Sequence, residues 1–137
     1  MTAEVEGLAP AVVHGLALLL LCAPYLAGAA VKVWDFPGAA SEMRAAGLAP
    51  PRLMAVAVIG LEGMASVLIL SGWYRWLGAL LLAGFTVAAS LLAGRFWLAP
   101  RGPLRQGALN TFLEHGGLAG GFLLVAWIDL GAHHGLG

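Results

Sequence analysis

A single carboxylate stands in the middle of the most apolar stretch of this chain. Residues 53–70, LMAVAVIGLEGMASVLIL, are apolar throughout except for Glu62 and, one turn later, Ser66. At about 1.5 Å of rise per residue the stretch is long enough to cross a bilayer core. A carboxyl group at that depth is costly and must face protein or water rather than lipid, which makes Glu62 the first functional candidate. His14, Glu114 and His115 also fall inside apolar runs, with Asn110 one turn before Glu114. Histidine titrates near neutral pH. A path running from His14 through Glu62 to Glu114 and His115 could bind a quinone-like headgroup or pass protons. The ordinary reading, interhelical hydrogen bonds that fix packing and register, carries more weight.

Depth decides which of these groups can meet. Counted from the midpoint of each apolar run, Glu62 lies near the midplane. His14 falls roughly 8 Å to one side, and Glu114 and His115 roughly 7–8 Å to the other. Glu62 is then within side-chain reach of either group. Lys32 ends its run roughly 18 Å from the centre, so a direct Glu62–Lys32 pair is not expected unless the first loop re-enters the membrane.

The elements that must position these residues follow from composition. Of 137 residues, 61% are hydrophobic and 10% charged, against about 25% charged in a soluble domain. Lipid is the solvent this surface suits. Formal net charge is zero, with no basic block to meet nucleic acid. Cys22 is the single cysteine, so neither an intramolecular disulfide nor a CxxC pair can form; inside an apolar run it reads as a small buried hydrophobe. His133 and His134 have no evident third ligand, and no metal site is expected.

Four apolar spans appear, at about 8–31, 53–70, 76–92 and 109–130, and a five-residue link, Ser71-Gly72-Trp73-Tyr74-Arg75, makes the middle two a hairpin. The expected fold is all-α: one membrane-spanning, antiparallel four-helix bundle over residues 1–137. The run at 16–21 has the look of a signal-peptide core, but Glu4 and Glu6 precede it without a cation, so a retained first helix is expected. Pro24 is expected to kink that helix. In the first loop, residues 39–46 read as a short amphipathic helix with Ala40, Met43 and Ala46/Gly47 towards the membrane and Glu42 and Arg44 outward. Gly116/Gly120 and Gly117/Gly121 form overlapping GxxxG patterns, Thr86, Ser90 and Gly94 share a face, and Gly60 and Gly63 flank Glu62. All are helix-packing signals, for the bundle or for a homo-oligomer.

Lys32, Arg44, Arg52, Arg95, Arg101 and Arg105 fall in the first and third loops, and only Arg75 lies on the opposite side. Loops 1 and 3 are therefore expected in the cytoplasm and both termini outward. Trp34, Phe36, Trp73, Tyr74, Trp76, Phe96, Trp97 and Trp127 mostly read as interface anchors.

With spans and polar residues placed, the chain resembles the DoxX family of small four-helix membrane proteins. The resemblance runs from about Leu8 to Asp129. It rests on Ala27-Gly28-Ala29-Ala30-Val31-Lys32 with Asp35-Phe36-Pro37-Gly38, on Ala46-Gly47-Leu48-Ala49-Pro50, on Gly60-Leu61-Glu62-Gly63 with Ser71-Gly72-Trp73, and on Arg95-Phe96-Trp97 and Gly116-Gly117. Lys32 and Asp35 are its loop motif. Two positions depart: His14 stands where the family often has arginine, and Glu114-His115 where a basic-polar dipeptide is common. If the family arginine partners the second-span glutamate, His14 would replace it. The resemblance implies a protein of the bacterial-type plasma (inner) membrane, an accessory or partner-binding subunit of a membrane redox system, with the lipid bilayer and a soluble redox chain as partners. Alternatives are a quinone-reactive subunit like that of thiosulfate:quinone oxidoreductase, with quinone as cofactor, or a proton or small-molecule pathway.

Overall fold

A computed structural model describes residues 2–93 and 95–134. Among these, five α-helices and no strands occur: α1 (Thr2–Trp34), α2 (Phe36–Ala45), α3 (Pro51–Ser71), α4 (Arg75–Ala93) and α5 (Pro103–His134), with a 3-10 turn at Phe96–Leu98. Four helices are long and apolar enough to cross a membrane. In each, no more than 31% of the span's most apolar window is buried inside the protein. Leu16, Leu20, Leu53, Val67, Leu123 and Ile128 stand exposed, a surface that lipid satisfies and water would not. Gly94 lies outside the described residues, as do the side chains of His133 and His134.

The turns follow from local chemistry. Asp35 ends α1 and caps α2 by accepting the Gly38 N–H at 3.1 Å, and Pro37 occupies the first turn of α2, where its missing donor does no harm. Gly47, at φ +80°, closes α2: its N–H reaches the Arg44 carbonyl at 3.0 Å and the Leu48 N–H reaches Met43 at 2.9 Å. Pro51 opens α3, and Gly72 at φ +84° ends it. Arg75 Nε then donates to the Ile69 carbonyl at 2.7 Å, satisfying one of the last acceptors of α3. Asp129, far away on α5, accepts the Trp76 N–H at 3.0 Å. It caps the first turn of α4 and sets a negative charge against that helix's positive end. The hairpin is thus closed by one residue from within and one from α5.

The apolar face of the loop helix α2 meets protein, not lipid. Ala39 and Met43 cluster with Ala55 near the start of α3, and Ala40 is also buried. The main core joins Leu18, Cys22 and Tyr25 of α1 to Ala65 and Ile69 of α3, Leu82 of α4 and Phe122 of α5. The packing order is α1 on α3, α3 on α4, and α4 on α5, with only a short contact closing α5 back onto α1. Two cavities lie along that seam.

Close approach depends on glycines other than those the GxxxG pattern singles out. A Cβ on Gly78 would fall 2.6 Å from the Ala65 carbonyl oxygen, so α3 and α4 touch backbone to backbone there. Gly60, Gly63, Gly116, Gly117 and Gly120 face open space, and only Gly121 meets the bundle, against Leu21. Gly78→Ala should lower the thermal unfolding midpoint in detergent by the equivalent of about 1–3 kcal/mol through overpacking. Gly60→Ala should leave it unchanged or slightly raised, since it removes a helix-interior glycine at no steric cost.

Candidate functional site

Tyr25, Gly28 and Lys32 follow one another at helical spacings of three and four, and so share one face of α1. Opposite them on α3 stands Glu62, only 2% exposed. Lys32 Nζ donates to Glu62 Oε1 at 2.7 Å. This overturns the expectation from span midpoints. α1 runs 33 residues, about 50 Å, well beyond the roughly 30 Å of a bilayer core, so distance from the middle of an apolar run does not fix depth. The two side chains also lean towards each other. Each tilts to the N-terminus of its own helix, which takes Lys32 inward and Glu62 outward towards the α2 side. Gly28 clears the space between them, for a Cβ there would come within 2.8 Å of Glu62 Oε2 and 3.3 Å of Lys32 Nζ.

Around the pair lies a cavity of about 180 Å³, walled by Pro24, Phe85 and Leu118 and reached by Tyr25, Thr86 and His115. The Tyr25 hydroxyl is hydrogen-bonded to Thr86 Oγ1, and its ring packs edge-on against Phe122 with centroids 5.3 Å apart. His115 Nδ1 lies 2.8 Å from the Thr111 carbonyl oxygen. A carbonyl only accepts, so Nδ1 carries a proton, and in the neutral ring Nε2 is left as an acceptor. The cleft therefore offers a cationic donor, a carboxylate and an imidazole against apolar walls.

The other sequence candidates part company. His14 precedes Gly28 by 14 residues of continuous helix, roughly 21 Å along the axis, and cannot reach Glu62. It lines a separate cavity with Arg75 and Asp129, so Lys32, not His14, is the partner of the buried carboxylate. Glu114 is exposed, and so is Asn110, which accepts from Gln106 Nε2 at 3.3 Å. The line of polar residues from His14 to Glu114 is not formed. Asp35 caps α2 and does not enter the cleft. Among the described residues no group of three or more His, Cys, Asp or Glu could hold a metal ion. Tyr25, Thr86 and Gly28 are the members that sequence reasoning passed over. The shared face of Tyr25, Gly28 and Lys32 was the signal available for them.

The sequence model of the DoxX family matches residues 12–95, well over half of the chain. The chain belongs to the DoxX family. The match takes in Tyr25, Gly28, Lys32, Glu62 and Thr86, while His115 and Asp129 on α5 lie beyond it. No curated protein and no solved structure matches this DoxX protein. Family membership and the four apolar helices together make it a multi-pass membrane protein.

Breaking a buried ion pair leaves one charge uncompensated, whereas replacing both partners with apolar side chains can be neutral. Lys32→Met and Glu62→Met should each cost about 3–5 kcal/mol. The double variant should recover most of that loss, read as thermal unfolding of the three proteins in the same detergent.

Proposed function

We propose that this DoxX-family protein is a membrane subunit that holds the headgroup of a quinone-class molecule at the Lys32–Glu62 pair, on behalf of a separate redox chain. The supporting observation is the pair itself, a cation and a carboxylate kept together inside a half-open apolar cleft between α1 and α5. At about 180 Å³ the cavity is smaller than the ~300–1,000 Å³ of sites that enclose a whole small molecule. It suits a headgroup whose tail stays in lipid.

The donor set fits that group. Lys32 Nζ can donate to a carbonyl oxygen, while Glu62 Oε2 and His115 Nε2 can accept from hydroxyls. Gly28 provides the cradle, since any Cβ there would crowd Oε2 and Nζ. When bound, a quinone supplies electron and proton acceptance. The chain's own residues orient the headgroup, keep water away with Pro24, Phe85 and Leu118, and hold a proton at Oε2 or Nε2. Cys22 is buried in the core and has no second thiol in the chain to work with, so electrons would be exchanged with a partner chain. Leu21 seated on Gly121 and Tyr25 against Phe122 fill the seam beyond the cavity, which favours a binding site over a through-going path. The six cations on the α2 side support a cytoplasmic mouth for this cleft in a bacterial-type inner membrane.

Ala89 lines the cavity from α4. Purified wild-type protein should bind a short-chain benzoquinone saturably, read as a rise in unfolding midpoint. Ala89→Phe, which fills the cavity, should weaken that binding at least tenfold while keeping its own midpoint. Equal binding by the two proteins would refute the assignment.

A further inference from the structure

A second cavity, about 440 Å³, occupies the other half of the α1–α5 seam, beside the α3–α4 hairpin. Leu21 on Gly121 and Tyr25 on Phe122 separate it from the Lys32–Glu62 cleft. One end is polar, formed by His14, Arg75 and Asp129; the walls are apolar, with Leu18 from α1 and Leu124 and Ile128 from α5. We propose that this cavity binds a single-chain anionic amphiphile, its oxyanion head at Arg75 and His14 and its alkyl chain along the α1–α5 walls.

Charge decides the sign of the ligand. Arg75 is the only lysine or arginine that the sequence puts at this end of the bundle. Its Nε is spent on the Ile69 carbonyl, which anchors the guanidinium; its other N–H groups form the fork that recognises carboxylate or phosphate. Asp129 lines the same end; it is 6% exposed, and its Oδ2 accepts the Trp76 N–H at the positive end of α4, so that the guanidinium's terminal N–H groups are the charged donors offered to a ligand. His14 is exposed, on the same side of α1 as Leu18 and Leu21, two residues that line the cavity with it. Its ring adds an N–H donor in either tautomer. A free inorganic anion would leave the apolar length of the cavity unfilled, and a neutral chain would give the terminal N–H groups of the guanidinium no oxyanion to meet. An oxyanion carried on an alkyl chain satisfies both.

This reading is independent of the quinone assignment, because the two cavities share no lining residue. The test uses the full chain in a neutral maltoside detergent, with oleate, oleyl alcohol and inorganic phosphate as probes. Oleate should raise the unfolding midpoint saturably and be retained as a one-to-one adduct in native mass spectrometry; oleyl alcohol and phosphate should do neither. Arg75→Gln should weaken oleate binding at least tenfold. Arg75 also caps α3, so Ala17→Phe, which fills the cavity from the exposed side of α1, serves as the second variant and should weaken it as much. Ala89→Phe, in the other cavity, should bind oleate as wild type does. The proposal is overturned if oleyl alcohol matches oleate, if phosphate alone gives the full shift, or if Ala17→Phe binds oleate normally.

Discussion

The ion pair between Lys32 and Glu62 is the constraint on which the rest of this structure depends. A carboxylate 2% exposed and surrounded by apolar helices cannot keep its charge without a partner. The partner comes from the last turn of α1, so the pair fixes the level of α1 against α3. Gly28 is the consequence one turn away, because no side chain fits between the helices where the two charged groups meet. A bilayer offers no hydrophobic drive for one helix to seek another. There, a contact of this kind specifies register as well as holding it.

The remaining architecture leaves a seam. α3 and α4 meet backbone to backbone at Gly78, and Asp129 ties α5 to the first turn of α4. α5 returns to α1 only where Leu21 sits on Gly121 and Tyr25 meets Phe122. The bundle is closed at its waist and open above and below. Each opening carries ionisable groups at one end and apolar walls along its length. Pockets between helices of a bundle are common binding sites. Here two are separated by a single apolar layer, and each lies towards a different end of the bundle.

Much of this was legible in the sequence. Runs of about twenty apolar residues announce the long helices. Asp35-Phe36-Pro37 and Gly47 bracket α2 because a cap, an N-terminal proline and a left-handed glycine are each local requirements. The relative level of the helices was not legible. Apolar runs have soft ends, and α1 continues past its run to Trp34, so midpoints did not fix the levels of Lys32 and His14. Contacts between elements remote in sequence were hidden for the same reason: nothing near Asp129 says that it caps α4, and nothing near Gly78 distinguishes it from Gly60 or Gly116. The GxxxG pairs on α5 drew attention by pattern, yet only Gly121 is used within the bundle. Glu62 itself was legible because a charge in an apolar run must be explained by its surroundings.

Lys32 is the single lysine of the chain, which makes its neighbour directly readable. A membrane-permeant carbodiimide joins an amine to a carboxylate only when the two are already in contact. Applied to the protein in native membranes, followed by digestion and mass spectrometry, it should yield one internal amide joining Lys32 to Glu62. Coupling of Lys32 to Asp35 or Glu42 instead, with Glu62 absent from any lysine link, would contradict the account.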